Sequence, residues 1–515
     1  MKRKQYEANK TTIQKIGLVL GPILFISMMF MDLTPDNPIA TRMAAVAILM
    51  AVWWITDAIP LAATALIPMI MLPLLGILKG KETAPIYFNS IIFLFIGGFM
   101  IALTMEKWNL HKRIALWIIR AIGGGTSRII LGFMLAAAFL SMWISNTATA
   151  VMMIPIGLAI ITQMEERFES ENSAKFSTSL MLGIAYSCSI GGFATLVGTP
   201  PNLAFTRIYE MTFPNAPSIT FGKWIFLGIP ISLIMLGIVW TLLTQVFFKV
   251  PACLQVDRDL IEKEYKMLGS MSFEEKGVLT VFIATAILWV FRKKLELGFV
   301  SIPGWSQFIP YPNMIDDGTV ALSMALILFL IPTRSKGNTS STIMSADIIT
   351  KLPWDIVLLF GGGFALAKGF QVAGLSSLIG NQFGGLEDLH PILMIMIICF
   401  FITFLTEFTS NTATTQIILP ILASVAVAMK IHPMMLMIPA TISASCAFMM
   451  PVATPPNAII FGSDRIKIID MARVGIIINL IGVMIIATLF YVIGTRVFSI
   501  DKNTLPEWAT SIDSV

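Results

Sequence analysis

Two Ser-Asn-Thr triads, at residues 145–147 and 410–412, are the residues whose types and spacing best suit a binding site. An asparagine side chain offers both donors and an acceptor, and a threonine hydroxyl can donate a hydrogen bond to a carboxylate. The surrounding segments 129–164 and 413–429 contain no Asp, Glu, Lys or Arg. If the two triads face each other, they can bracket a molecule with two anionic ends through neutral groups alone.

Each triad is followed by a Thr-Pro-Pro-Asn motif, at 199–202 and at 454–457. Paired prolines remove two N–H donors and clash with preceding carbonyl groups, so helix breaks are expected at 198–202 and 453–457. In a bilayer such backbone is tolerated only where it is buried in protein or lines a watery cavity. Helix N-termini favour anions, and freed carbonyls can hold a hard cation such as Na⁺. Because 179–206 and 433–463 also lack charged side chains, a bound anion would need co-bound cations.

The two halves of the chain repeat these motifs in the same order. FLFIGGF at 93–99 matches LLFGGGF at 358–364, 265 residues later, and the same offset relates the two triads. The Thr-Pro-Pro-Asn motifs lie 255 residues apart (199 to 454). Convergence of apolar helices on similar composition would not place polar motifs in matching order. We therefore predict inverted repeats at 40–248 and 277–500, joined by a cytoplasmic amphipathic link at 249–276.

The run 129–163 is too long for one simple crossing. As a single helix its 35 residues would span about 52 Å, against a hydrocarbon core of about 30 Å. A re-entrant hairpin with its tip at 145–147 solves this, and 392–429 repeats the design with a tip at 410–412. One long tilted helix with polar residues on a packed face is the alternative.

The composition places these elements in a membrane. Of 515 residues, 56% are hydrophobic and 13% charged, about half the charge of a soluble domain. The net charge of +5 implies no nucleic-acid partner. The four cysteines (Cys188, Cys253, Cys399 and Cys446) have no CxxC spacing, so neither a disulfide framework nor a zinc site is expected. The chain has no HExxH or GxSxG motif and no paired catalytic carboxylates, so we do not expect an enzyme.

Basic residues predict the orientation in a cell membrane. Residues 1–15 hold five Lys or Arg against one Glu, which predicts a cytoplasmic N-terminus ahead of a first transmembrane helix within 1–39. The tail 501–515 holds three acids against one Lys and is predicted to be extracellular. Three consecutive bases, Arg292, Lys293 and Lys294, contradict this orientation, because they follow a span on the expected outer face.

The paired motifs resemble those of the divalent anion/sodium symporter family, especially its bacterial sodium-coupled dicarboxylate transporters. The resemblance covers nearly the whole chain, including WWITDAIP at 53–60 and the GGF helices. It implies an all-α polytopic membrane protein with about eleven transmembrane helices and two re-entrant hairpins. It also implies a scaffold domain that forms a homodimer and a transport domain that moves by an elevator mechanism.

Positions carried over from the family give three sets of site residues. The resemblance implies a first sodium site at Ser141, Ser145, Asn146 and Gly198. It implies a second sodium site at Thr406, Thr409, Asn411, Ala453 and Pro455. It implies dicarboxylate contacts from Asn146, Thr147, Thr199, Asn411, Thr412 and Thr454. Some sodium-independent exchangers of the family carry a basic residue after SNTA, whereas Thr149 and Thr414 hold that place here, which favours the sodium type.

The leading hypothesis is uptake of a C4-dicarboxylate such as succinate, fumarate or malate, coupled to co-transported Na⁺ and without a cofactor. Obligate dicarboxylate exchange without sodium is the alternative within transport, and a channel is disfavoured by the paired hairpins and broken helices. One acid, Glu407, adjoins the second triad where the first repeat has Met142. An intramembrane acid is a functional candidate, but we favour a structural role, either paired with a base such as Lys368 or capping backbone groups.

Overall fold

The computed structural model describes residues 10–31, 33–35, 37–167, 170–250, 258–296, 301–334, 341–382, 389–502 and 504–510. These residues are mostly helical, and their strands form one antiparallel pair, β1 (Leu295–Glu296) with β2 (Ser301–Ile302). Within these ranges, eight helices are long and apolar enough to cross a membrane, and five shorter apolar helices accompany them. The predicted all-α polytopic membrane fold is therefore confirmed. Cys253, for which we expect neither a disulfide nor a zinc site, lies outside the described residues.

Twelve α-helices form the described first half of the chain. They are α1 (Thr12–Met29), α2 (Pro38–Thr56), α3 (Leu61–Thr64), α4 (Ile67–Leu74), α5 (Gly80–Thr83), α6 (Ser90–Lys107), α7 (Leu110–Ile122), α8 (Thr126–Ser141), α9 (Asn146–Arg167), α10 (Ser170–Gly192), α11 (Pro200–Thr212) and α12 (Phe221–Thr241). A π-helical turn, Leu242–Phe247, extends α12.

The helices of the second half occur in a similar order around the motifs. Within the described ranges they are α13 (Arg258–Met267), α14 (Phe273–Val290), α15 (Asp317–Leu330), α16 (Asp347–Lys351), α17 (Trp354–Val372), α18 (Leu375–Asn381), α19 (Pro391–Leu405), α20 (Asn411–Ala428), α21 (Met434–Ser443), α22 (Pro455–Phe461), α23 (Ile468–Leu489) and α24 (Thr495–Val497). A π-helical turn, Phe490–Gly494, extends α23 as its counterpart extends α12.

Both triads lie where one helix ends and another begins. α8 ends at Ser141 and α9 begins at Asn146, while α19 ends at Leu405 and α20 begins at Asn411. The long tilted helix considered from the sequence is therefore wrong at both places. The asparagine and threonine of each triad occupy the first turn of a helix, and the connecting turn precedes them.

The Thr-Pro-Pro-Asn motifs begin helices. Helix α10 ends at Gly192 and α11 begins at Pro200, while α21 ends at Ser443 and α22 begins at Pro455. Proline suits the first turn of a helix because the N–H groups of that turn have no helical acceptor in any case. The interruptions therefore lie before the prolines, at 193–199 and 444–454, rather than at them. This differs from the sequence interpretation, in which the prolines themselves break a helix.

Close backbone approach holds the first hairpin against the first interrupted helix. A Cβ on Gly191 of α10 would lie 2.1 Å from the Ala138 carbonyl oxygen of α8. The first described helix of the link, α13, packs on α7, and Lys112 and Arg120 of α7 form ion pairs with Glu264 at 2.9 Å and Glu262 at 2.8 Å. α8 therefore packs directly against the backbone of α10, and the ion pairs hold α13 against α7.

Arg292 behaves as a structural residue and not as a marker of orientation. Its buried guanidinium forms an ion pair with the buried Asp317 and donates to the Ile315 carbonyl at 2.8 Å. Lys293 donates to the Ser218 hydroxyl at 2.6 Å. A basic residue neutralised inside the protein contributes little to the charge bias of a loop, so Arg292, the first of the three conflicting bases, has a local explanation.

Candidate functional site

The end of α8 meets the start of α9 through a serine and an asparagine. The buried Ser141 hydroxyl donates to the Asn146 Oδ1 and to the Cys188 carbonyl oxygen of α10, the latter at 2.6 Å. Asn146 Oδ1 therefore faces the Ser141 hydroxyl at the end of α8. A hydroxyl, an amide oxygen and a carbonyl oxygen together form the oxygen-rich surroundings that a hard cation prefers.

The second half builds the same arrangement from different residues. The buried Thr406 hydroxyl donates to Asn411 Oδ1 at 2.7 Å and to the Ala444 carbonyl oxygen at 2.9 Å. The Thr409 hydroxyl lies 2.5 Å from the Thr414 hydroxyl and donates to Leu405 O at 2.9 Å. The first half has Ile144 at the position of Thr409, so the second cluster has one more hydroxyl.

The asparagine of each Thr-Pro-Pro-Asn motif holds the interruption before it. Asn202 Nδ2 donates to the Phe193 and Thr195 carbonyl oxygens at 3.3 and 2.7 Å. Asn457 Nδ2 donates to the Ala447 and Met450 carbonyl oxygens at 3.0 and 3.1 Å. Both side chains are fully buried, and the Oδ1 of each has no hydrogen-bond partner in the described structure. Sequence reasoning did not assign these asparagines, although their matching place in both motifs was a usable signal.

Four helices begin at one place. The residues preceding α9, α11, α20 and α22 are Ser145, Thr199, Ser410 and Thr454, and all four line a single cavity of about 680 Å³. The Ser145 hydroxyl accepts from Ala148 N at 3.1 Å, and the Thr454 hydroxyl from Asn457 N at 3.4 Å. All four helices present the positive end of their dipoles to the cavity. The first N–H groups of α9 and α20 also lack helical acceptors, whereas α11 and α22 begin with two prolines that have no N–H. The helix ends therefore favour an anion.

The cavity brings together most of the residues that the family resemblance implies. Those that line it are Ser145, Asn146, Thr147, Gly198, Thr199, Thr409, Asn411, Thr412, Ala453, Thr454 and Pro455. Ser141 and Thr406 lie behind the lining, hydrogen-bonded to Asn146 and Asn411. Whether these groups bind sodium and dicarboxylate stays a prediction.

The charged side chains among the described residues that line the cavity are both acidic, Asp57 and Asp355. Carboxylates disfavour a second anion and favour a cation. An anion in this cavity must therefore have its charge offset by helix N-termini and by cations bound nearby. The motif segments contribute no charge to the lining, as their sequence indicates, and the two acids come from the end of α2 and from α17.

Glu407 contacts backbone groups and not Lys368. Its carboxylate accepts from the amides of Phe448, Met449 and Met450, while Lys368 donates to the Gln371 side chain at 2.9 Å. In the first half, the Thr195 hydroxyl donates to the carbonyl oxygen of Met142, the residue in the place of Glu407, at 2.5 Å. Sequence reasoning missed Thr195, which has no counterpart in a motif.

Comparison with known proteins agrees with this geometry. The sequence model of the family described as the sodium:sulfate symporter transmembrane region matches residues 15–500. The chain belongs to this family. Membership confirms the resemblance to divalent anion/sodium symporters, and it makes the protein a multi-pass membrane transporter and not an enzyme.

Two curated relatives in the family carry the name sodium-dependent dicarboxylate transporter SdcS. The one from Staphylococcus saprophyticus is 43% identical over 495 residues, covering 95% of this chain and 93% of the relative. The one from Staphylococcus aureus strain MRSA252 is 44% identical over 499 residues, covering 96% and 94%.

Two solved membrane transporters share the fold at low sequence identity. MtrF of Neisseria gonorrhoeae, described with a class of antimetabolite efflux pumps, superposes with a TM-score of 0.54 at 13% identity over 93% of this chain and 98% of its own. The YdaH transporter of Alcanivorax borkumensis superposes with a TM-score of 0.53 at 12% identity, over 88% and 98%. Identities this low support the architecture alone.

Proposed function

We propose that the protein couples the uptake of a C4-dicarboxylate such as succinate, fumarate or malate to the entry of Na⁺. The observation that carries this proposal is the shared cavity, where four helix N-termini meet in front of two hydroxyl, amide and carbonyl oxygen clusters. The curated relatives that span almost the whole chain are named for sodium-dependent dicarboxylate transport.

In this proposal, one triad from each half binds one end of the dicarboxylate. Asn146 and Thr147 take one carboxylate, Asn411 and Thr412 take the other, and Thr199 and Thr454 assist. These groups donate hydrogen bonds through neutral side chains, while the dipoles of four helices and the first amides of α9 and α20 add partial positive charge. The two binding faces come from opposite halves of the chain, which suits a substrate with charge at both ends.

The two triad asparagines explain how cation and anion binding are coupled. Each Oδ1 faces a buried hydroxyl, Ser141 for Asn146 and Thr406 for Asn411, in the cluster assigned to sodium. A cation bound to that oxygen fixes the orientation of the amide and so directs its Nδ2 toward the carboxylate. Removing sodium frees the amide to turn, and the anion loses both a donor and a neutralising charge.

The site residues also lie on one interlocked set of helices, which supports an elevator movement of that set. α11 of the first half packs on α20 of the second, and α22 of the second half packs on α9 and α10 of the first. We propose that these helices move together as the transport domain against a dimeric scaffold. We further propose that the chain's N-terminus is cytoplasmic and its C-terminus extracellular.

Uptake of labelled succinate into proteoliposomes tests the function. We expect uptake driven by an inward Na⁺ gradient and its loss when choline or K⁺ replaces Na⁺. Thr147→Val should abolish most uptake, and Thr162→Val is the matched control, because Thr162 is an exposed residue of the same helix away from the cavity. Equal uptake with choline would contradict the proposal.

Preloading the vesicles separates symport from exchange. A symporter takes up labelled succinate into empty vesicles, whereas an obligate exchanger is silent until unlabelled substrate is placed inside. Competition by sulfate, 2-oxoglutarate and citrate, with and without Na⁺, then measures the substrate class. We expect dicarboxylates to compete more strongly than sulfate, because the lining offers two separate triads, one for each carboxylate.

A further inference from the structure

Glu407 is a fully buried acid that makes four hydrogen bonds. Its Oε1 accepts from Phe448 N at 2.7 Å, from Met449 N at 2.9 Å and from Asn479 Nδ2 at 2.7 Å. Its Oε2 accepts from Met450 N at 3.0 Å. All four partners are donors, and an ionised carboxylate is the side chain that offers only acceptors. The carboxylate is thus engaged with protein groups and does not line the cavity.

The three backbone donors belong to the interruption between α21 and α22. Because α21 ends at Ser443, the amides of residues 448–450 have no carbonyl partner in a preceding helical turn. Glu407 supplies those acceptors from the second hairpin, 41 to 43 residues away in sequence. Asn457 binds the Ala447 and Met450 carbonyl oxygens of the same stretch. Glu407 therefore accepts from backbone amides of the interruption, and Asn457 donates to its carbonyl oxygens.

The first half does without a carboxylate. Its interruption, 193–199, is shorter than 444–454, and Ala194 N still donates to the Gly191 carbonyl oxygen at 3.0 Å, as in a turn. The Thr195 hydroxyl makes the tie to the first hairpin through the Met142 carbonyl and accepts from Gly198 N at 3.1 Å. Glu407 thus accepts hydrogen bonds from three backbone amides of the longer, second interruption, and the shorter first interruption is held without a carboxylate.

We propose that Glu407 is a positioning residue that holds the second interruption in the shape needed for the second sodium site. Residues 448–450 lead directly to Ala453 and Pro455, which are assigned to that site, and Thr406, next to Glu407, closes it from the hairpin side. The inference rests on the proposed sodium-coupled function and adds that one cation site depends on a residue that contacts neither cation nor anion.

Glu407→Gln tests this with little change of shape. The amide nitrogen replaces one acceptor and faces a backbone N–H, so the bound shape is populated less often and apparent affinity falls in proportion. We expect the Na⁺ concentration for half-maximal succinate uptake to rise about tenfold and the Hill coefficient for Na⁺ to fall. The succinate KM at saturating Na⁺ should change by less than about threefold. Glu106→Gln, in α6 and outside the cavity lining, is the matched control.

An unchanged Na⁺ midpoint in Glu407→Gln, or a rise in succinate KM as large as the rise in the Na⁺ midpoint, would overturn the inference. If Glu407→Gln does not yield folded protein, Asn479→Ala decides, because it removes one donor and keeps the carboxylate. It should raise the Na⁺ midpoint about threefold, and an unchanged midpoint overturns the inference.

Stabilisation of the purified wild-type protein by Na⁺ is measured as a rise in Tm. This measurement distinguishes failure of the proposed function from failure of the role proposed for Glu407. Wild-type protein that shows neither Na⁺-dependent uptake nor Na⁺-dependent Tm contradicts the proposed function, and the inference falls with it. Wild-type protein that shows both, beside a Glu407→Gln variant with an unaltered Na⁺ midpoint, contradicts the role of Glu407 alone.

Discussion

Ser141 and Thr406 occupy equivalent places in the two halves, 265 residues apart, and make the same pair of hydrogen bonds. Each hydroxyl donates to the Oδ1 of the asparagine five residues later and to a carbonyl oxygen at the end of a neighbouring helix. A serine and a threonine thus perform one geometric task. The shared feature is the hydroxyl, which fixes an asparagine at the start of a helix.

Removing either hydroxyl is expected to weaken sodium dependence. Ser141→Ala or Thr406→Val deletes two hydrogen bonds and one proposed cation ligand, so the Na⁺ concentration for half-maximal uptake should rise about tenfold, equivalent to about 1.4 kcal/mol. Thr406→Ser keeps the hydroxyl and should stay within about threefold of wild type. A Thr406→Ser variant as impaired as Thr406→Val would show that the methyl packing matters and not the oxygen.

Asn202→Asp and Asn457→Asp should destabilise the protein. Each change replaces an amide donor by a carboxylate oxygen facing two carbonyl oxygens in a fully buried place, so we expect the free energy of unfolding to fall by about 2–4 kcal/mol. Thermal unfolding in detergent measures this. Asn89→Asp is the partly exposed comparison. It keeps the cap of α6, in which Asn89 Oδ1 accepts from Ile91 N, and loses one donation from Nδ2 to the Ile86 carbonyl oxygen at 3.1 Å, where water can compensate. An equal loss in Asn89→Asp would refute the explanation.

The motifs predicted where the site lies because they are local. The triads and the Thr-Pro-Pro-Asn motifs each combine turn-forming or helix-starting residues within four positions. Their recurrence in the same order in both halves indicates that the two copies have equivalent roles. The structure accordingly places both triads, Thr199-Pro200-Pro201 and Thr454-Pro455 on the lining of one cavity. The all-α membrane class followed from composition in the same way, whereas the inverted topology, the dimer and the exact number of transmembrane helices stay predictions.

The parts that sequence reasoning missed depend on contacts distant in sequence. α21 ends at Ser443, well before the prolines that begin α22. The backbone amides left between the two helices donate to Glu407, which lies more than 40 residues before them in the sequence. Arg292 looked like a topological signal because its partner Asp317 lies 25 residues away. Counting charges or prolines along the sequence reveals neither the contact of Glu407 with the second interruption nor the ion pair of Arg292 with Asp317.

Gly191→Ala should disrupt the packing of the first hairpin. Its Cβ would lie 2.1 Å from the Ala138 carbonyl oxygen, in rigid backbone, so the hairpin must shift, and we expect a loss of about 1–3 kcal/mol in the free energy of unfolding. Gly237→Ala is the matched control, because nothing lies within 4 Å of its added Cβ. Gly237→Ala should not lower stability, because alanine has a higher helix propensity than glycine by about 1 kcal/mol. An equal loss in both variants would contradict the packing explanation.

His432 is expected to make stability depend on pH. It lies in the connection between α20 and α21, where burial lowers its pKa from 6.5 to about 4 against the opposing effect of Asp501. Its Nδ1 accepts from Met434 N at 3.2 Å, and its ring packs edge-on against Trp508. Because the folded pKa is the lower one, protonation favours unfolding. The stabilisation is complete above the ordinary pKa and is lost as pH falls from about 6.5 toward 4.

His432→Asn isolates this contribution, since its amide oxygen can accept from Met434 N but does not titrate. Between pH 8 and pH 5 the wild type should lose about 2 kcal/mol of unfolding free energy through this histidine, and the variant should lose correspondingly less. The measurement is the difference in Tm between the two pH values for both proteins in the same detergent. His390→Asn is the comparison, because His390 is exposed and its Nδ1 likewise accepts from the backbone amide two residues later, Ile392 N, at 3.4 Å. An identical pH dependence in wild type and His432→Asn would show that other groups govern acid destabilisation, because a neutral buried imidazole is the only difference between them.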